Sequence, residues 1–257
     1  MTHPGRLEGK VAIVTGGGAG FGVGIVDKFV HEGAKVVILD VVEENAQAVV
    51  SKHPKGSSVA IKGDVSSESD WKRALEVAVQ TFGKLDVVVN NAGVVYTAGP
   101  STETAESDFD RVVKVNLKSL FWSSRVIIPY YKERGEGLGG LFINISSMSS
   151  PRPRPGLIWY GATKAGVTNA SKGLALEWAK HNIRFNVIHP VAGETNMVPF
   201  FLGGEDSPES RAKMMSTIPL GRFAVPSDIG NTAAWLASDE ASLLTGASID
   251  VDGGRGI

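Results

Sequence analysis

The sequence predicts an α/β chain: a doubly wound parallel sheet of about seven strands with helices on both faces. Three observations carry that reading. The apolar runs are short, β-branched and nearly unbroken, as strands buried on both faces are. Over the first 90 residues these runs alternate with segments of helical periodicity. The first run opens directly into a glycine cluster, where the chain turns sharply into a helix.

Val11–Thr15 is the first strand. Gly20–His31 is the first helix, with Phe21, Ile25, Val26, Phe29 and Val30 on one side and Gly33 as its stop. Lys35–Asp40 reads as a strand and Glu43–Ser51 as a helix. Ser58–Gly63 is the third strand, and Ser66–Phe82 the third helix with Ser66 as N-cap. Leu85–Asn90 is the fourth strand. A long helix is expected between Ser107 and Arg134, with Pro129 marking a kink or an end. Then come a strand at Gly140–Ser146, a helix at Tyr160–His181, a strand at Ile183–Pro190, a helix at Pro226–Ser238 and a last strand at Ala247–Val251. No repeat, linker or low-complexity tract intervenes, so residues 1–257 read as a single domain. Residues 191–218, rich in Gly, Pro, Met and Phe, read as an irregular insertion of the kind that forms a substrate lid.

Composition excludes several classes of function. With 26 Lys+Arg against 27 Asp+Glu, there is no basic excess for nucleic acid. At 42% hydrophobic and 21% charged residues, the chain is not a disordered acidic one. The absence of cysteine excludes disulfides, thiolate catalysis and cysteine zinc sites. Met1–Gly9 is polar and lacks a leader's apolar stretch; no apolar run approaches the roughly 20 residues of a membrane span. The expectation is a soluble, cytoplasmic protein that acts on a small molecule, with no membrane or nucleic-acid partner.

Thr15-Gly-Gly-Gly-Ala-Gly-Phe-Gly22 fits no register of G-x-G-x-x-G. A longer spacing fits twice, as Gly16/Gly20/Gly22 or as Gly18/Gly22/Gly24. The first is preferred because Gly16 directly follows the strand. Such a turn lets a pyrophosphate approach the backbone and meet unpaired N–H groups at the helix N-terminus. Gly16, Gly20, Phe21 and Gly22 are therefore candidate dinucleotide contacts. Asp40 ends the second strand, where a carboxylate accepts from ribose hydroxyls and repels a 2′-phosphate. Val41 and Val42 offer no cation for that phosphate, so NAD (NADH) is expected over NADP. The alternative is that Asp40 caps the next helix. Asp64 and Val65 either hold the adenine edge or form a turn. In Asn90-Asn-Ala-Gly93, the residues Asn91, Ala92 and Gly93 are placed to contact the cofactor ribose.

Tyr160 and Lys164 stand at i and i+4, on one helix face. A free phenol titrates near 10, and a nearby cation favours phenolate. Ser147 ends the preceding strand 13 residues before Tyr160, where its hydroxyl suits a substrate oxygen. Asn116 lies inside the long helix, where a buried amide needs partners. Thr195 follows Pro190 and is placed to meet the nicotinamide amide.

Taken in order, these pieces resemble the short-chain dehydrogenase/reductase family of the 250-residue NAD(P)-dependent type. The match, from about Leu7 to Gly254, runs through Thr15-Gly-x-x-x-Gly-x-Gly22, Asp64-Val65, Asn90-Asn-Ala-Gly93, Asn116, Ser147, Tyr160-x-x-x-Lys164, Pro190 to Thr195, and the ending Thr245-Gly246 with Val251-Asp-Gly-Gly254. The resemblance implies a Rossmann-type fold, Tyr160 as general acid/base, and Lys164 lowering its pKa and binding the nicotinamide ribose. It implies that Ser147 orients the substrate oxygen and that Asn116 holds a relay water. It further implies metal-free hydride transfer and a homotetramer built through the two long helices and the last strand. One departure stands out: Val191 follows Pro190 where the family has Gly, and a glycine appears only at Gly193.

For the substrate, Met148, Trp159, Met197 and Phe200 are the candidate contacts, with Phe201, Val95 and Tyr96 beside them. Arg152 and Arg154 read first as solvated, with a role toward a substrate carboxylate or phosphate as the alternative. His189 reads as structural. The implied activity is NAD-dependent hydride transfer between a nicotinamide cofactor and a secondary alcohol or ketone. The alternatives are a 3-oxoacyl-thioester reductase, whose usual basic residue after the second strand is missing here, and a non-catalytic dinucleotide-binding regulator.

Overall fold

Successive strand residues point to opposite faces, and β1 (Val11–Thr15) buries both. Val11 and Ile13 enter one apolar layer with Trp71, Ile127 and Phe142. Ala12 and Val14 enter the other with Ile25, Phe29 and Ile229. Burial on both sides explains why the strands read as continuous apolar runs. The computed structural model describes residues 5–135 and 137–257. The leader reading of Met1–Gly9 and the domain reading of 1–257 therefore fall partly outside the described residues.

After β1 come α1 (Gly20–His31), β2 (Lys35–Asp40), α2 (Glu43–Val50), β3 (Ser58–Lys62), α3 (Glu68–Phe82) and β4 (Val87–Asn90). The chain continues with α4 (Glu106–Val112), α5 (Lys118–Glu133), β5 (Gly140–Ile145), α6 (Ile158–Trp178) and β6 (Ile183–Pro190). It ends with α7 (Val198–Phe201), α8 (Pro208–Met215), α9 (Pro226–Ala237) and β7 (Ser248–Val251). The seven strands form one sheet in the order β3-β2-β1-β4-β5-β6-β7. Every pairing is parallel. The winding reverses between β1 and β4, so a crevice opens beyond Thr15 and Asn90, where ligands of such sheets bind. No described helix is long and apolar enough to cross a membrane.

Four expectations change. Ser67, not Ser66, caps α3: its Oγ accepts from Asp70 N, whereas Ser66 turns back to Asp64. The long helix is two helices joined by a π-turn at Val113–Leu117, which carries Asn116. Side-chain hydrogen bonds from Asn116 to the neighbouring loop coincide with that widening. Pro129 does not end α5, which runs on to Glu133. Residues 191–218 are not wholly irregular, because Pro199 and Pro208 open α7 and α8, and a Ser207/Ser210 capping box completes α8.

Candidate active site

One cavity of about 640 Å3 runs from the glycine turn to Tyr160. Its nucleotide half begins at Gly16 and Gly20, whose φ values of 62° and 53° favour glycine. A Cβ on Gly16 would lie 3.0 Å from Ala92 Cα. Gly20 and Phe21 start α1 at the cavity wall, and no side chain caps that helix end. Thr15 Oγ1 accepts from Asn91 N and Ala92 N at 3.0 Å each, stapling the β4 loop to the glycine turn. Asn91 Nδ2 donates to Thr15 O at 2.8 Å. Asp40 accepts from Gly18 N at 2.9 Å and Val42 N at 3.0 Å, so it braces the glycine turn and the chain ahead of α2 but does not cap that helix, whose N-cap Val42 has no side-chain cap. It also lines the cavity, leaving acceptor capacity for a diol. Asp64 and Val65 line it as well. Burial raises the Asp64 carboxyl, but Ser66 and Lys114 outweigh it and leave the group below its ordinary value. The small residues, the uncapped helix end and the buried carboxylate fit a dinucleotide.

Gly22 is not part of that wall. A Cβ there would fall 2.0 Å from Gly16 O, so this glycine lets α1 pack against the turn. The departure at residue 191 also has a packing reason. Val191 enters an apolar cluster with Val198, Met214, Ile218 and Phe223. Its backbone avoids the left-handed region, so glycine is not required. Gly193 lies against Phe21, where a Cβ would meet the ring at 2.1 Å. Pro190 and Thr195 line the cavity on either side of this path.

Tyr160, Lys164 and Ser147 meet at the other end. Tyr160 and Lys164 are buried, with 5% and 4% of their surfaces exposed. Lys164 Nζ donates to Ile145 O at 2.9 Å and sits 5.9 Å from the Tyr160 ring centroid. The expected acidification of Tyr160 is not what this geometry gives. Burial pushes the phenol up to about 12, and only the neighbouring Ser147 pulls it down. Burial pushes the Lys164 ammonium down to about 8.

Asn116 stands behind the wall rather than in it. Its Oδ1 accepts from Val94 N at 2.8 Å, and its Nδ2 donates to Val94 O at 2.9 Å and Thr163 Oγ1 at 3.1 Å. The amide is thus committed to protein partners and positions the loop that carries Gly93. A Cβ on Gly93 would lie 3.2 Å from Lys164 Nζ, so that loop presses closely on the lysine.

Met148, Met197 and Phe201 line the substrate end. Trp159 and Phe200 do not. Trp159 packs edge-on against Phe109 and donates to Ser101 O at 3.1 Å, and Phe200 lies 42% exposed. Val95 and Tyr96 are buried beside Tyr160 without reaching the cavity. Arg152 and Arg154 line it, as does Arg255, which sequence reasoning missed. A lone arginine after two glycines gives no local signal. His189 bonds Thr168 at 3.0 Å and Asp250 at 2.8 Å, a structural role.

The family model described as enoyl-(acyl carrier protein) reductase matches residues 16–255. The chain is 43% identical to a 4-formylbenzenesulfonate dehydrogenase of Comamonas testosteroni, over 98% of this chain and all of the relative. It is 38% identical to a 2,5-dichloro-2,5-cyclohexadiene-1,4-diol dehydrogenase of Sphingobium indicum, over 97% of both. Among solved structures, a 3-ketoacyl-(acyl-carrier-protein) reductase from Brucella melitensis complexed with NADH superposes with a TM-score of 0.92 at 41% identity, covering 98% of this chain and all of the other. With the ordered motifs at the crevice, these matches place the chain in the short-chain dehydrogenase/reductase family.

Proposed function

We propose that this protein is an NAD-dependent oxidoreductase acting on a secondary alcohol or ketone, with Tyr160 as general acid/base. One observation carries the reading: the Tyr160 phenol and the Ser147 hydroxyl share a cavity with the glycine turn and Asp40. The nicotinamide cofactor, when bound, supplies or takes up the hydride. Tyr160 and Ser147 hold the carbonyl oxygen, and Tyr160 passes it a proton as the carbon gains hydride; oxidation of the alcohol is the reverse. Lys164 keeps a cation beside the phenol, and Asn116 keeps the Gly93 loop against Lys164. Residues 191–218 act as a lid through Met197 and Phe201. Exposed Phe121 on α5 and Leu176 on α6 suit the tetramer interface that the family resemblance implies.

A phenol at about 12 carries its proton at neutral pH, the form needed for ketone reduction. Oxidation needs the deprotonated form, so its kcat/KM is expected to rise with pH across neutrality. Reduction is expected to stay level over the same range. Initial rates in both directions check this; an oxidation rate that falls from pH 6 to 9 would count against Tyr160 as the base.

Asp40 carries the cofactor preference. kcat/KM with NADH is expected to exceed that with NADPH by about tenfold or more, the scale of one charge-assisted hydrogen bond lost and one repulsion gained. Asp40→Ser is expected to narrow the gap. Equal rates with both cofactors would refute the preference. The thioester reading is supported by the Brucella relative's description; faster NADPH-linked reduction of an acetoacetyl thioester than of simple ketones would favour it.

A further inference from the structure

The substrate end of the cavity is walled by three arginines from two distant segments. Arg152 and Arg154 come from the loop between β5 and α6, and Arg255 from the tail beyond β7. Among the described residues none of the three forms an ion pair. Arg152 donates to the Arg255 carbonyl, which ties the tail to the loop. Arg154 Nη2 donates to Phe201 O at 2.8 Å, which fixes one corner of its fork. The guanidinium of Arg255 has no hydrogen bond among the described residues.

Asp252 is the carboxylate that faces Arg255, and it is already engaged. Its Oδ1 accepts from Gly254 N at 2.9 Å and its Oδ2 from Gly256 N at 2.5 Å. It therefore builds the turn that presents Arg255. The tail then lies on Met148, where a Cβ on Gly256 would meet Cε at 2.8 Å. Burial and the neighbouring cations hold Arg154 and Arg255 below the usual guanidinium range. Arg154 and Arg255 are half-buried like charges beside an apolar wall, with Arg152 exposed at the rim; burying them unpaired carries an electrostatic cost, and an anion relieves it. A guanidinium fork matches the oxygens of a carboxylate or sulfonate. Met148, Met197 and Phe201 line the same end of the cavity and suit an apolar body.

We propose that Arg152, Arg154 and Arg255 form an anion subsite that selects ketones and alcohols bearing a fixed carboxylate or sulfonate on an apolar body. This rests on the oxidoreductase reading above and names its substrate class. The subsite acts in binding and leaves the hydride and proton steps unchanged.

The test compares NADH-linked reduction of 4-acetylbenzoate, 4-acetylbenzenesulfonate and 4-methylacetophenone by the full-length protein. The anionic ketones are expected to lead in kcat/KM by about tenfold or more, as charge-assisted hydrogen bonds do. Their KM is expected to rise with ionic strength while that of the neutral ketone does not. Arg255→Gln and Arg152→Gln are expected to shrink the anionic-to-neutral ratio by about tenfold, with Arg255→Lys restoring part of it. Arg154→Gln also loosens Phe201, so the Arg255 pair carries the interpretation. A wild-type ratio near one, or a ratio unchanged by these variants, overturns the subsite while turnover of the neutral ketone upholds the oxidoreductase reading. If no ketone is turned over, that reading fails, and calorimetry with benzenesulfonate decides the subsite separately. Binding to the wild type and its loss in Arg255→Gln supports the subsite; no binding, or equal binding to both, removes it.

Discussion

Replacing Tyr160 by Phe is expected to lower kcat for ketone reduction by about a thousandfold, within the range that positioned acid–base groups supply. The change removes one oxygen and little else. The ring stays packed with Val95, Val112 and Leu157, and keeps its edge contact with Phe201 at 5.9 Å between centroids. Ser147 Oγ still accepts from Ser149 N at 3.0 Å, so the serine is not orphaned. Tm should therefore change little, and NADH binding, read from fluorescence, should persist because the glycine turn and Asp40 are untouched. Stopped-flow NADH absorbance gives the rate. Turnover within tenfold of wild type would place the proton on another group and remove the central claim. Loss of NADH binding along with activity would mean that the phenol holds the cofactor site together rather than moving a proton.

The parts visible in the sequence are those set by local periodicity. Both-face burial writes itself into strands as unbroken apolar runs, and a turn that must admit a phosphate writes itself as glycine. Asp40 and the Tyr160/Lys164 pair follow from strand ends and from i,i+4 spacing. What was not legible depends on rotation and on distance. Trp159 adjoins Tyr160 in α6, and adjacent helix residues face different ways, so it turns to Phe109 while Tyr160 faces the cavity. Phe200 and Phe201 divide in the same manner. The π-turn at Asn116 arises where hydrogen bonds reach 22 residues along the chain to Val94, which no window of helical periodicity can register. The upward shift of the Tyr160 phenol comes from burial by elements scattered across the fold, so spacing to a lysine gave the wrong sign for the protein alone. Spacing alone makes Gly22 a cofactor contact, because it cannot tell a glycine that meets ligand from one that meets backbone.

That last distinction has a large measurable consequence. Gly22→Ala is expected to cost about 3 kcal/mol of stability, at the upper end of overpacking effects, and to lower Tm by about 6–12 °C in a chain of this size. The added methyl would fall 2.0 Å from Gly16 O and 2.8 Å from Gly16 C, both backbone atoms that no rotamer can move aside. Relief requires α1 to move away from the turn that it closes. Gly16 is the residue held at φ 62°, so displacing it also spoils the phosphate cradle, and NADH affinity should fall by about tenfold or more. Gly56→Ala separates space from strain. Gly56 has φ 78° with nothing within 4 Å of a Cβ, so alanine there should cost only about 1–2 kcal/mol of left-handed backbone strain and leave NADH binding unchanged. Thermal melts and NADH titrations on the two variants give the comparison. If Gly22→Ala kept wild-type affinity while melting early, α1 would be able to shift without disturbing the turn, and the coupling between helix packing and dinucleotide recognition would be lost.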